Sequence, residues 1–131
     1  MKTNTRVYYI SAAKKDLPVS TNLDRHSELR SKITKLGYTK TECIGMYKGV
    51  PELSLIITGI NNNTESDLLQ LAKEYEQECI MCVYGIDSTA ELISSSNNRE
   101  VIGRMVCLGE NEGALKGRDY SFVNEKFYVV E

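Results

Sequence analysis

A single histidine, two prolines and no apolar run near the ~20 residues of a membrane-spanning helix are the first things the sequence shows. One histidine, His26, leaves a Ser–His–Asp or Cys–His arrangement without local support. GxSxG, GxGxxG, P-loop and HExxH signatures are absent as well. Neither sign of charge dominates: 16 Lys and Arg stand against 18 Asp and Glu, for a net charge of −2. That balance excludes the basic face expected of a nucleic-acid binder. Hydrophobic residues make up 41% and charged residues 26%, so extensive disorder is excluded too.

What is there suits one soluble domain. At 131 residues the chain can bury a core without staples, and it reads as a single domain, 1–131. Met1-Lys2-Thr3-Asn4-Thr5-Arg6 is polar and leads into a strand-like run, unlike a signal peptide. The expectation is a cytoplasmic protein with no membrane or nucleic-acid partner. Cys43, Cys79, Cys82 and Cys107 are then reduced thiols. Cys79 and Cys82 have CxxC spacing, but Cys79 to Tyr84 reads as a strand, where residues three apart point to opposite faces. No metal site and no cofactor is expected.

Hydrophobic periodicity orders the elements. Arg6 to Ser11 reads as a strand, Thr21 to Lys35 as a helix stopped by Gly37, and Thr39 to Tyr47 and Glu52 to Thr58 as a hairpin across Lys48 to Pro51. Thr64, with Asp67 three residues on, looks like a capping box opening a second helix through Leu68, Leu71, Ala72 and Tyr75. Cys79 to Tyr84 is the fourth strand. Strand, helix, strand, strand, helix, strand is the split βαβ order, so the expected fold is α+β: a ferredoxin-like βαββαβ antiparallel sheet with both helices on one face. Glu91 to Ser94, Val101 to Leu108 and Lys126 to Val130 form a C-terminal β extension, with loops at 94–98 and 109–117. The third and fourth strands are apolar on both faces, which calls for cover from the C-terminal strands or from another subunit, and a symmetric homo-oligomer is the favoured expectation.

Three stretches stand out chemically. In the first, Gly45-Met46-Tyr47 closes a strand and Glu52 opens the next, so that a tyrosine faces a carboxylate across a turn, a compact way to meet a cation. The second, Glu74 to Cys79, puts three acids at a helix C-terminus, against the macrodipole. The third is Ser88-Thr89-Ala90-Glu91. Read blandly, each is a solvated loop or helix end, and His26 is a partly exposed polar residue.

Together these residues resemble the small phage enzymes that degrade S-adenosylmethionine, the S-adenosylmethionine hydrolases or lyases. The resemblance runs through Tyr8 to Ala12, Asp24-Arg25-His26, Gly45-Met46-Tyr47, Glu52, Glu76-Gln77-Glu78-Cys79 and Thr89-Ala90-Glu91-Leu92. The link from Lys48 to Pro51 is shorter than the corresponding family segment. The resemblance implies cleavage of S-adenosylmethionine to 5′-methylthioadenosine and either homoserine lactone or homoserine, in the cytoplasm of an infected bacterium if the chain is phage-encoded. It further implies catalytic Tyr47 and Glu52, substrate-binding Gln77, Ser11 and Thr89, and a homotrimer with sites between subunits. A non-catalytic trimeric small-molecule sensor and a phage-type inhibitor of a host enzyme are the competing readings.

Overall fold

In the computed structural model, which describes residues 5–131, the chain runs β1 (Arg6–Ile10), α1 (Val19–Lys35), β2 (Lys40–Tyr47), β3 (Val50–Thr58), α2 (Asn63–Glu74), β4 (Cys79–Tyr84), β5 (Thr89–Ser94), β6 (Arg99–Gly109), β7 (Tyr120–Val123) and β8 (Lys126–Val130). Residues 1–4, which carry most of the argument against a signal peptide, lie outside the described residues.

The ferredoxin-like expectation is overturned. The first six elements follow in the expected order, and β4, β1, β3 and β2 are neighbours, but the sheet does not stop there. It continues through β5, β6, β8 and β7, and β7 pairs back onto β2, closing an eight-stranded antiparallel barrel. The C-terminal strands are therefore barrel wall rather than an extension. Closure also covers the second apolar face from within the chain, so that pattern no longer argues for a partner subunit. β7 went unread because Tyr120–Val123 is only four residues long.

Strand alternation sorts the side chains. Tyr8, Ile10, Leu55, Ile57, Ile80, Cys82 and Ile93 face outward and form one buried cluster with Leu29 and Ile33 of α1 and Leu68, Leu71 and Ala72 of α2. Tyr9, Ser54, Cys79, Met81 and Leu92 line the interior instead. Both helices thus pack on the outside of the wall.

The helix ends are set locally. After α1, Gly37 takes φ 87°, its N–H reaches the Thr34 carbonyl, and Tyr38 N–H reaches Ile33, a Schellman stop. α2 ends the same way with Glu76 at φ 58°, its N–H bonding to Lys73 and that of Gln77 to Ala72. The expected capping box is absent. Thr64 lies inside α2, fully buried, its hydroxyl accepting from Ile60 and Asn61 N–H, while Asp67 accepts from the Tyr38 hydroxyl. Two of the three acids at the end of α2 are surface partners: Glu74 meets Lys32 at 3.3 Å and Glu76 meets Lys14 at 3.4 Å.

Arg99 fastens β6 to the rest. Its guanidinium binds Glu65 of α2 at 2.8 Å, Glu91 of β5 at 2.9 Å and the Tyr84 hydroxyl of β4 at 3.2 Å. This accounts for Glu91, which serves the wall and not a site. The Arg99 guanidinium holds the Glu65 carboxyl below its ordinary value; at Glu91 burial opposes, but Tyr84 and Arg99 outweigh it. Both carboxyls therefore contribute stability above the ordinary glutamate range, and it is lost as pH falls through their lowered values. Arg99→Leu should cost about 1–3 kcal/mol by leaving Glu91 without a cation and Glu65 with only the longer Arg6 contact at 3.8 Å. Urea unfolding checks this; a variant as stable as wild type contradicts it.

Candidate active site

The barrel interior holds a cavity of about 810 Å³. Tyr47, Glu52, Gln77 and Ser11 all line it, whereas Thr89 and His26 do not. Residues of a single chain bring the four together.

A tight turn places the first two. Lys48 and Gly49 have φ 53° and 81°, the signature of a two-residue type I′ hairpin. The turn pairs Tyr47 with Val50 and Gly45 with Glu52. Lys48 N–H is anchored on Asp119 at 2.9 Å, tying the hairpin to the β6–β7 connection. Pro51 is accommodated because β1 pairs only with Leu55 to Thr58, leaving the Pro51 end of β3 beyond that ladder.

Glu52 is half-buried on the inner wall. Loss of hydration pushes its carboxyl above the ordinary value, the nearby Ser11 hydroxyl works in the opposite direction, and no cation takes part. Arg118 lines the same cavity, but its guanidinium is spent on the Ala114 and Leu115 carbonyls and on Glu131 at 2.9 Å. Glu52 therefore has no countercharge of its own, and Asp119, which lines the same cavity, accepts from the Lys48 N–H.

Tyr47 is 37% exposed at the rim, and burial of its inner part raises its hydroxyl's pKa, with Ser121 opposing. Tyr9 and Tyr128 complete the lining with Met81 and Met105, while the Tyr120 ring, one residue before the inward Ser121, packs edge-on against Phe127 at 5.3 Å. None of Tyr9, Tyr128, Met81 and Met105 was singled out from sequence. Alternation along β1 was the one available signal: Tyr8 and Tyr9 must face opposite ways, so one of them faces inward.

Gln77 follows directly from the helix stop. As the third residue past α2 it is held by its backbone bond to Ala72, and its amide nitrogen donates to the Ala13 carbonyl at 3.0 Å and the Tyr75 carbonyl at 3.3 Å. Both amide hydrogens are used, so Oε1 remains the free acceptor. Arg25 braces the same corner, donating to Ala12 and Tyr75 carbonyls at 2.7 Å each. Ser11 donates to Leu53 at 2.9 Å and accepts from Ala13 N–H at 3.0 Å. Its hydroxyl thereby joins β1 to β3 beside Glu52.

His26 and Thr89 lie outside the cavity. His26 is 2% exposed rather than partly exposed; it packs between α1 and β2, with Nε2 2.7 Å from Glu42 and Nδ1 without a partner. Cys79 lines the cavity while Cys82 is buried under the helices, so the two thiols diverge as strand geometry requires. Among the described residues no cluster of metal-ligating side chains occurs, and no helix is long and apolar enough to cross a membrane.

An antiparallel barrel with a cavity lined by tyrosines and carboxylates defines a candidate small-molecule site. The S-Adenosylmethionine lyase family profile matches residues 8–131, and the chain belongs to that family. No curated protein matches it.

A carboxyl raised in the fold binds its proton more tightly folded than unfolded. Stability from this group therefore falls as pH rises from the ordinary glutamate value through the raised one. Glu52→Gln should remove that fall and give a Tm above wild type at neutral pH. Thermal unfolding of both proteins across an acid-to-neutral pH series tests it; identical profiles would exclude the burial cost.

Proposed function

We propose that this protein cleaves S-adenosylmethionine inside the barrel, giving 5′-methylthioadenosine and homoserine lactone. The observation that carries the reading is Glu52, a carboxylate without a cation set among tyrosine rings in a cavity of about 810 Å³. A cationic nucleoside of drug-like size suits such a space, and a sulfonium is attracted to tyrosine faces as other cations are.

The reaction asks little of the protein in acid–base terms. The substrate's own carboxylate attacks its γ-carbon, the carbon–sulfur bond breaks, and the electron pair leaves on sulfur as a neutral thioether. No proton moves. Holding the carboxylate in line supplies up to ~7–11 kcal/mol in favourable intramolecular cases. A shielded cavity helps further, because two opposite charges vanish together in the step.

Roles follow from what each group has free. Glu52 touching the sulfonium itself would favour the ground state over a transition state that is losing the charge. It therefore binds and orients the substrate through its ammonium or ribose hydroxyls. Tyr47, kept protonated by burial, donates a hydrogen bond, and the Gln77 Oε1 accepts one from the ammonium or the ribose. Ser11 holds the wall beside Glu52, and Thr89 takes no part. The homotrimer implied by the resemblance belongs to the same proposal, with the partner adding to a cavity that one chain already forms. Light scattering tests it, a monomeric mass being the contrary result.

Incubation with S-adenosylmethionine should yield 5′-methylthioadenosine and lactone. Glu52→Gln should lose about 100-fold or more in turnover while staying folded. In oxygen-18 water the first-formed product should carry no label; directly labelled homoserine would replace lactone formation with water attack. Binding without any product favours a sensor, and host-enzyme inhibition that survives Glu52→Gln favours the inhibitor reading.

A further inference from the structure

Around the inner wall, Glu52, Gly45, Ser121 and Tyr128 follow one another as direct cross-strand partners on β3, β2, β7 and β8. Direct partners project from the same face, about 4.5–5.5 Å apart. Glu52, Ser121 and Tyr128 line the cavity, so Gly45 leaves a gap in the row between Glu52 and Ser121. The Tyr47 ring fills that gap. Its Cζ and hydroxyl lie 2.8 and 2.9 Å from where a Gly45 Cβ would stand, and Cε2 lies closer still. The backbone of Gly45 is not left-handed, so its conformation does not demand glycine. The neighbouring ring does.

We propose that Gly45 is a positioning residue: its missing side chain lets the Tyr47 ring fold back along the wall and holds the hydroxyl between Glu52 and Ser121. Without that niche a side chain at the rim, two residues along the same face, would turn toward solvent. Ser121 is 4% exposed, so the niche has a closed far side that fixes how far the ring can travel. The catalytic consequence rests on the proposed cleavage; the geometric claim does not.

Wild type, Gly45→Ala, Tyr47→Ala and the double variant decide it. Ring resonances of Tyr47 are identified in NMR spectra of ring-labelled tyrosine by their loss in Tyr47→Ala. Gly45→Ala should fold, since the atoms it displaces are the free end of a side chain, and should move the Tyr47 resonances while the other tyrosines stay. Turnover should drop about 10–100-fold, the scale of a small misplacement of a reacting group. In the Tyr47→Ala background the same substitution should change turnover less than about 2-fold, because Gly45 acts through the ring. Unmoved Tyr47 resonances, moved resonances with full turnover, or an equal loss in both backgrounds would each overturn the proposal. If Gly45→Ala fails to fold, the double variant, relieved of the ring, must fold; its failure overturns the proposal too. Should wild type make no 5′-methylthioadenosine, the cleavage reading falls and the resonances alone decide whether Gly45 positions Tyr47.

Discussion

The pairing of β7 with β2 is the constraint on which the rest of the structure depends. Three residue pairs, Ile44 with Phe122, Gly45 with Ser121 and Met46 with Tyr120, turn an open sheet into a tube. In an open sheet Glu52, Tyr9 and Met81 would lie on a broad face in water. Inside a tube they share a confined volume where hydration is scarce and charge interactions are stronger. β8 supports the seam, with the rings of Phe122 and Phe127 4.8 Å apart across the β7–β8 ladder. The chemistry of the interior thus depends on strands remote in sequence from the residues that carry it.

Local order was legible because it is written in short-range patterns. The stripe of Leu29 and Ile33 followed by Gly37 marks α1 and its stop, and the apolar run from Cys79 to Tyr84 marks β4. Closure was not legible. Two-sided burial of β4 requires a cover but does not say whether the same chain supplies it, and pairing depends on contacts too distant in sequence for periodicity to report. Thr64 misled for a related reason: a threonine hydroxyl serves equally as a helix cap or as a buried acceptor of loop N–H groups, and only the surroundings decide. At the site, Tyr47, Glu52 and Gln77 were visible through a resemblance, whereas Ser121 and Tyr128 sit on the part of the wall whose strands were least readable.

Closure also changes how copies of this chain can associate. Each described strand has a neighbour on both sides, so no whole strand is an edge, and single-sided pairing is confined to strand ends such as residues 50–54 of β3 and 40–43 of β2. On the barrel wall Ile44 of β2, paired with Phe122 of β7, points outward at 45% exposure.

The proposed cleavage would have one more consequence, after the bond has broken. The sulfonium would become a neutral thioether, so the nucleoside product would lose its attraction to a cavity lined by tyrosines and carboxylates, whereas the lactone would keep the ammonium that Glu52 is proposed to bind. Departure of the nucleoside would then follow from the loss of charge that the step itself brings about.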